Sequence, residues 1–236
     1  AAQAQDCGID TVVLDDGWFR PHDKKGLGDW RTETDKFPSG IKGLSDKIHA
    51  MGLKFGLWLE PEMVNEDSEL YRAHPDWILS TSKNPLISRS QYILDLTRDE
   101  VVEYVANRIS EELQGVEIDY IKWDFNRYAT EAGSYQTPQG EIYHRQMLGT
   151  YKLLATLKKR LGNVLFETCS GGGGRFDLGM LFYSPQIWTS DNTDAIERLY
   201  IQHGTSMVMP ASAMGAHVSV CPNHTVGRNT PFETIS

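Results

Sequence analysis

Long apolar runs and paired cysteines are both missing from this 236-residue sequence. No apolar stretch approaches the ~20 residues that a helix needs to cross a bilayer, and no signal-peptide pattern opens the chain. The three cysteines, Cys7, Cys169 and Cys221, are widely spaced without a CxxC pair, which argues against a disulfide framework and a zinc site. We therefore expect a protein of a reducing compartment, the cytoplasm, without a membrane partner.

Basic residues are scarce relative to acidic ones. The chain has 23 Lys and Arg against 32 Asp and Glu, a formal net charge of -9. This excess disfavours nucleic acid and anionic membranes as partners, because both are themselves negatively charged. Metal-ligand spacing is lacking among His203, His217 and His224, so no metal site is expected.

Four consecutive glycines, residues 171–174, follow a predicted strand and raise the question of a phosphate-binding loop. The run lacks the Lys-Ser/Thr of a Walker loop, and Phe176 breaks the GxGxxG spacing, so nucleotide binding is disfavoured. Two interpretations stay open: a close backbone approach to a neutral polyol, or a plain flexible loop.

Short apolar segments alternate with amphipathic ones along the chain. Predicted strands cover residues 11–14, 54–59, 91–96, 164–166 and 186–188, with another entering the stretch 118–127 and two short ones between 206 and 220. Predicted helices cover residues 1–8, 44–51, 66–73, 143–161 and 195–203, and a capping box of Thr97 and Glu100 opens one more. Such alternation predicts a parallel sheet with crossover helices.

Nearly every predicted strand ends in a carboxylate. The residues concerned are Asp15, Asp16, Glu60, Asp95, Asp124, Glu167 and Asp191. Function at the carboxyl ends of many strands is typical of the (β/α)₈ barrel, whereas a doubly wound sheet gathers its site at one crevice. We therefore predict an α/β protein with a (β/α)₈ TIM barrel that is incomplete at its N-terminal end, where the first strand is missing. Residues 1–236 would form most of this single catalytic domain.

The stretch 118–127 combines an apolar strand with a cluster of charges. Lys122 and Asp124, two residues apart, would lie on one face of the strand, and a neighbouring cation would keep Asp124 ionised as a nucleophile. A strand-end salt bridge is the alternative. Asp191 is the candidate acid/base, because glycoside hydrolysis needs a second carboxyl group that holds a proton. Asp194 is its rival, although the spacing to Glu197 favours a helix cap.

Tryptophans stand beside several of these strand-end carboxylates. Asp15 and Asp16 precede Trp18, and Trp58 and Trp188 lie near other strand ends. Carboxylates accept hydrogens from sugar hydroxyls while an aromatic ring packs against the apolar face of the sugar, so a carbohydrate ligand is favoured. A structural role for each tryptophan is an equal alternative.

At these residues the chain resembles the melibiase-type α-galactosidases, glycoside hydrolase family 36. The matching segments are LDDGWF at 14–19, GLWLEPEMV at 56–64, YIKWDFNR at 120–127, ETCSGGGGRFDLGML at 167–181, WTSDNTDAIERL at 188–199 and GAHVS at 215–219. They follow the order of the family and span nearly the whole chain. The resemblance implies a retaining exo-hydrolase that acts, without a cofactor, on terminal α-linked galactose in oligosaccharides such as melibiose and raffinose.

The resemblance also implies roles for individual residues. Asp124 matches the nucleophile of the family, and Asp191 matches its acid/base. The positions that match substrate contacts are Asp15 and Asp16 at the galactose hydroxyls, Trp58 as a wall of the pocket, Arg89 as a pocket arginine, Lys122 and Asn126 beside the nucleophile, and Cys169 and Gly172 near the 2-position of the sugar. The double-displacement mechanism of such enzymes predicts carboxyl groups ~5–5.5 Å apart.

The chain departs from the family at both ends. Members carry a β-sandwich domain before the barrel and a β domain after it, and they commonly form homo-oligomers partly through these domains. Neither domain nor the first strand is present in the 236 residues, so two sheet edges would be exposed. Phe125 stands where the family often has Met, a conservative change.

Three alternative functions remain at this stage. The first is a galactosyltransferase of the raffinose-synthase type, and the second is an α-N-acetylgalactosaminidase. The second would need room at the 2-position, where Cys169 and its glycines leave space for a hydroxyl group. The third is an inactive sugar-binding barrel fragment, against which the intact Asp124 and Asp191 argue.

Overall fold

The computed structural model describes Gln3, residues 6–22 and residues 24–231. These residues form two compact units, Ala1–Leu165 and Phe166–Ser236. Residues 1, 2, 4 and 5 of the helix predicted for residues 1–8 lie outside the described residues. Within the described part of the chain, every helix is too short or too polar to cross a bilayer.

The first unit contains a three-stranded parallel sheet and a separate antiparallel pair. Its strands are β1 (Thr11–Leu14), β2 (Lys54–Leu59), β3 (Met63–Asn65), β4 (Gln91–Ile93) and β5 (Tyr120–Trp123). β2 lies between β1 and β5, and the register pairs Leu14 with Leu57 and Trp58 with Lys122. β3 pairs with β4. All but the first residue of β2 are buried, as is typical of parallel strands covered on both faces.

The helices of the first unit are α1 (Gly40–His49), α2 (Glu69–Ala73), α3 (Asp99–Glu112) and α4 (Ile142–Leu161). α3 buries Val101, Val105 and Ile109, which recur every four residues and so lie on one face. α4 matches its predicted range within one residue and ends at Gly162, where φ is +77°.

The second unit repeats the same alternation. Its strands are β6 (Leu165–Thr168), whose first residue is assigned to the first unit, β7 (Gln186–Trp188) and β8 (Met214–Gly215). β7 pairs in parallel with both β6 and β8. The helices are α5 (Leu178–Tyr183) and α6 (Ala195–Ser206). Parallel strands that alternate with helices confirm the α/β class.

Some local predictions are wrong. The Thr97 capping box does not form: Thr97 donates its hydroxyl and backbone hydrogen bonds to Asp95, and α3 begins after Arg98 without a side-chain cap. β3 and α5 were not predicted. Two short strands were predicted between residues 206 and 220, but the described residues of that range form one strand, β8, of two residues.

Candidate active site

Asp124 lies directly after β5, at the edge of the sheet where the carboxyl ends of β1, β2 and β5 meet. Its backbone N–H donates to the Leu59 carbonyl over 2.8 Å, which continues the pairing with β2. Its side chain, with the residue 6% exposed, accepts hydrogen bonds from Trp58 Nε1 at 3.0 Å and from the Phe125 N–H at 2.8 Å. The carboxylate is therefore held in one orientation.

Lys122 forms an ion pair across the sheet. Its Nζ lies 3.1 Å from Oδ2 of Asp15, the residue that follows β1. Asp15 Oδ1 accepts the Asp16 N–H at 2.8 Å, and Asp16 pairs with the Arg20 guanidinium. Burial raises the pKa of Asp16, while the positive charge of Arg20 opposes that shift. Lys122, the cation predicted at the end of β5, thus forms its described ion pair with Asp15, which follows β1.

Glu60 was predicted only as one of the strand-end carboxylates, without a role in the site. It follows β2 directly and is 1% exposed. Its Oε1 accepts the Asn126 N–H at 2.6 Å, and its Oε2 accepts a hydrogen bond from Gln91 Nε2 at 2.9 Å. Burial and the neighbouring Asp124 charge raise the pKa of Glu60 to about 7, and Arg89 acts in the opposite direction. The signal for Glu60 was its place among the strand-end carboxylates.

Arg89 lies in a strained turn immediately before β4. Arg89 and Ser90 have φ values of +52° and +58°, in the left-handed region that side chains other than glycine rarely adopt. The Ser90 carbonyl accepts a hydrogen bond from Asn65 Nδ2 at 2.8 Å, which holds this turn against β3. The positive charge of Arg89 acts on Glu60 and lowers its pKa.

The tryptophans of this unit form an aromatic cluster in the core. Trp18 is 1% exposed and donates from Nε1 to the Trp58 carbonyl at 2.8 Å. Trp58 is 2% exposed and stacks on Phe19 with ring centroids 6.0 Å apart, and Trp30 contacts both. Of the two roles left open for Trp18, the structural one is observed, because its ring is buried among these side chains. Trp58 presents its indole N–H to Asp124.

Asp191, Cys169 and Gly172 come together in the second unit. Asp191 Oδ1 accepts a hydrogen bond from Trp188 Nε1 at 3.1 Å and lies 3.9 Å from Cys169 Sγ. The Gly172 N–H donates to the same sulfur at 3.4 Å. Gly172 has φ +88°, and a Cβ there would lie 2.7 Å from Ser190 Cα. The glycine is required for this close approach, which favours a packed loop over a flexible one.

Arg198 holds the strand ends around Asp191 and was not predicted. This buried side chain of α6 donates to the Ser190 carbonyl at 3.2 Å and to the Gly215 carbonyl at 3.2 Å. Its Nη2 also lies 2.8 Å from His217 Nδ1. Burial lowers the pKa of Arg198, and the charge of Asp191 acts in the opposite direction.

Asp194, the rival acid/base, caps α6. Its Oδ2 accepts the Glu197 N–H at 3.0 Å and pairs with Arg228, and the residue is 1% exposed. The predicted capping role is confirmed.

One group of described side chains has metal-ligand spacing: His49, Glu117 and Asp119. It lies at the amino-terminal side of the sheet, away from Asp124. His49 Nε2 is 2.8 Å from Asp119 Oδ2, and Nδ1 is 3.0 Å from the Ser45 carbonyl. Both ring nitrogens therefore face acceptors, and the hydrogen bond to Asp119 raises the pKa of His49. When protonated, His49 has no lone pair for a metal and forms an ion pair with Asp119.

Each unit thus presents a strand-end aspartate that accepts an indole N–H. In the first unit Asp124 is accompanied by Glu60, Asn126, Arg89 and the Asp15–Lys122 pair. In the second, Asp191 is accompanied by Cys169 and Gly172. A fixed carboxylate serves as nucleophile or as acid/base in acetal chemistry.

Comparison with known proteins identifies relatives over the whole chain. The Melibiase family model matches residues 1–236. The chain is 52% identical over 240 residues to α-galactosidase AgaA of Geobacillus stearothermophilus, covering 99% of this chain and 33% of AgaA. It is 51% identical over 238 residues to α-galactosidase Mel36A of Lactobacillus acidophilus, covering 98% and 32%. The crystal structure of an AgaA variant in complex with raffinose has a TM-score of 0.95 at 51% identity, covering 99% of this chain and 33% of that one. The chain spans about a third of the length of these relatives.

Proposed function

Because the chain belongs to the melibiase family, of the α-galactosidases in glycoside hydrolase family 36, we propose that it carries the catalytic site of a retaining α-galactosidase. Its substrates are oligosaccharides with terminal α-linked galactose, such as melibiose and raffinose. The observation that carries this proposal is the pair of strand-end aspartates, Asp124 and Asp191, each held by an indole N–H, in a chain whose relatives are α-galactosidases.

The first half of the reaction forms a covalent intermediate. A carboxylate oxygen of Asp124 attacks the anomeric carbon as the bond to the leaving oxygen breaks. The electron pair of that bond stays on the leaving oxygen, which takes the proton of Asp191. The product is a β-galactosyl ester of Asp124, whose carboxylate is oriented for attack by hydrogen bonds from Trp58 to Oδ2 and from the Phe125 N–H to Oδ1.

The second half returns the enzyme to its starting state. Ionised Asp191 removes a proton from water, and the water oxygen attacks the anomeric carbon from the side that the leaving group vacated. The ester bond to Asp124 breaks and α-galactose is released with retained configuration. No step needs a cofactor.

The remaining polar residues bind galactose in this proposal. They are Asp15, Asp16, Arg89, Lys122 and Asn126 in the first unit and Cys169 and Gly172 in the second, whereas the buried Trp58 acts through its indole N–H on Asp124. Asp15 and Asp16 suit hydroxyl groups because their carboxylates accept hydrogen bonds. The ion pair with Lys122 fixes the orientation of the Asp15 carboxylate.

We also propose that residues 1–236 form most of a (β/α)₈ barrel without its first strand. The parallel order of strands within each unit supports this, as does the placement of carboxylates after β1, β2, β5 and β7. The complete protein is proposed to form homo-oligomers. The three cysteines of the 236 residues, all free thiols, support the proposal of a cytoplasmic location.

The test identifies which anomer of galactose is formed first and whether water or another sugar accepts the galactose. The complete protein is incubated with raffinose in deuterated water, and anomeric proton signals are followed by nuclear magnetic resonance. The proposal predicts that α-galactose appears first and mutarotates later, and that Asp124→Asn abolishes its release. First-formed β-galactose would contradict the retaining mechanism, galactosylated sugars in excess would indicate a transferase, and binding without turnover would indicate a sugar-binding protein.

A further inference from the structure

Glu60 links the loop after β5 to the start of β4. Its Oε1 accepts the Asn126 N–H at 2.6 Å, and its Oε2 accepts from Gln91 Nε2 at 2.9 Å. Asn126 is two residues beyond Asp124, whose own N–H is bonded to the Leu59 carbonyl, immediately before Glu60. The two ends of the short segment 124–126 are therefore both fixed to residues 59–60.

We propose that Glu60 is a positioning residue for Asp124, which holds the backbone of the nucleophile through Asn126 and, when ionised, places a second negative charge beside it. This inference rests on the proposed function, because it takes Asp124 as the nucleophile. It assigns to Glu60 an effect on the rate of the covalent step without any contact with the sugar.

The charges around Glu60 explain why its ionisation matters in the neutral range. Asp124 is the neighbouring anion, Arg89 is the neighbouring cation, and Gln91 and Asn126 supply neutral donors. Burial and Asp124 together raise the pKa of Glu60 to about 7. Below that pH the side chain is mostly a neutral acid, and above it is mostly a carboxylate.

The two ionised carboxylates repel each other, and the covalent step removes that repulsion. When Asp124 attacks the anomeric carbon it becomes a neutral ester, so the charge beside Glu60 disappears. Ionised Glu60 therefore raises the energy of the free enzyme more than that of the transition state, which accelerates attack by Asp124. The same repulsion slows the release of galactose, because that step regenerates the charge on Asp124.

Gln91 can adapt to either charge of Glu60. Its Oε1 is buried and has no hydrogen-bond partner among the described residues. If the amide rotates so that its oxygen and nitrogen exchange places, this oxygen accepts a proton from neutral Glu60 or from a glutamine at the same position. We therefore expect Glu60→Gln to fold, with the acceptor for the Asn126 N–H retained.

The test is the pH dependence of covalent labelling by a galactose-configured cyclophellitol-type epoxide. The second-order rate constant of inactivation is measured for the complete wild-type protein and for Glu60→Gln. The pH range, from about pH 5.5 to about pH 8.5, lies on both sides of the raised pKa of Glu60. The ratio of wild type to variant should be near one at the acidic end and rise to about 10 at the alkaline end, because only ionised Glu60 repels the charge of Asp124. The midpoint of the rise should lie near the pKa of Glu60.

Two further variants separate this role from a structural one. Glu62→Gln is the matched control: Glu62 is as buried as Glu60, but its hydrogen bonds, from Trp123 Nε1 at 2.9 Å and from Thr150 Oγ1 at 2.8 Å, do not involve residues 124–126. The pH-dependent rise in the ratio should therefore be specific to Glu60→Gln. Gln91→Met removes a hydrogen bond that lowers the pKa of Glu60. Its own inactivation rate constant should therefore rise with pH around a midpoint that is higher than the midpoint of the wild type. This second variant serves if Glu60→Gln does not fold.

The outcomes distinguish this inference from the proposed function. A pH-independent ratio for Glu60→Gln, or an unmoved midpoint for Gln91→Met, in an enzyme labelled at Asp124 would overturn the role of Glu60 and leave the proposed function intact. A wild-type protein that is not labelled at Asp124 would overturn both.

Discussion

Trp58 Nε1 donates a 3.0 Å hydrogen bond to Oδ2 of Asp124, and the two residues come from neighbouring parallel strands. The indole is fixed in turn by its stacking on Phe19 and by the bond from Trp18 to its own carbonyl. Trp188 and Asp191 repeat the relationship within the second unit, at 3.1 Å. In both places a rigid aromatic donor orients a carboxylate, which in the proposed mechanism is a catalytic group.

Replacing Trp58 by Phe should lower activity more than stability. The change removes the hydrogen bond to Asp124 and keeps an aromatic ring against Phe19. A hydrogen bond to a charged group contributes about 1.5–3 kcal/mol, so kcat/KM on an aryl α-galactoside should fall by about 10-fold or more.

Trp30→Phe is the matched control for that variant. Trp30 belongs to the same aromatic cluster, but its buried Nε1 has no hydrogen-bond partner among the described residues. Its replacement should leave kcat/KM within about twofold, since no hydrogen bond is lost. Equal losses in the two variants would show that the ring volume matters and the indole N–H does not.

Replacing Gly172 by Ala should disturb the loop that carries Asp191. The new Cβ would lie 2.7 Å from Ser190 Cα and 3.1 Å from the Asp191 nitrogen, so the backbone next to Asp191 must move. A displaced acid/base should cost about 100-fold or more in kcat/KM, because misplacement by about 1 Å has that effect on catalysis.

Gly171→Ala separates this clash from backbone strain. Gly171 also has positive φ, at +52°, but a Cβ there meets nothing within 4 Å. Both variants should lose about 1–2 kcal/mol of unfolding free energy from strain, measured by denaturant titration. Only Gly172→Ala should lose most of its activity, and comparable activities in the two proteins would contradict the role of the close approach.

The His49–Asp119 ion pair should make stability depend on pH. The hydrogen bond to Asp119 raises the pKa of His49 in the folded protein above its ordinary value of 6.5. The stabilisation is therefore fully present below that value and is lost as the pH rises through the folded-state pKa.

The measurement is the free energy of unfolding of wild type and of His49→Gln over that range. The advantage of wild type should be largest in mild acid and decline toward alkaline pH. The ion pair lies at the end of β5 opposite to Asp124, so kcat should be similar in the two proteins. An advantage that does not change with pH would mean that His49 is neutral and acts through packing.

The sequence was sufficient to predict elements whose patterns are local. The spacing of Val101, Val105 and Ile109 predicted the buried face of α3, and Asp194 with Glu197 predicted the cap of α6. β3 was missed because three buried residues after Pro61 carry no alternation that would mark a strand. Its pairing with β4, across more than twenty residues, decides its conformation.

The candidate site was predictable to the extent that its residues follow strands. Asp124 and Asp191 stand after apolar segments, so their positions at strand ends were expected. The role of Trp18 stayed open in the sequence, because its burial depends on contacts with Trp30 and with the Trp58 carbonyl, which are distant along the chain. Arg198 was missed for a similar reason: a charged residue within a helix usually faces solvent, and its carbonyl partners come from β8 and the end of β7.

The most direct test of the proposed function is the site of covalent modification. The complete protein is treated with a galactose-configured cyclophellitol-type epoxide, and its peptides are analysed by mass spectrometry. A single label on the peptide that contains Asp124, absent from Asp124→Asn, is the predicted result, because this carboxylate is proposed to form the galactosyl ester. A label on Asp191, Glu60 or another carboxylate in the folded protein would contradict the assignment of the nucleophile.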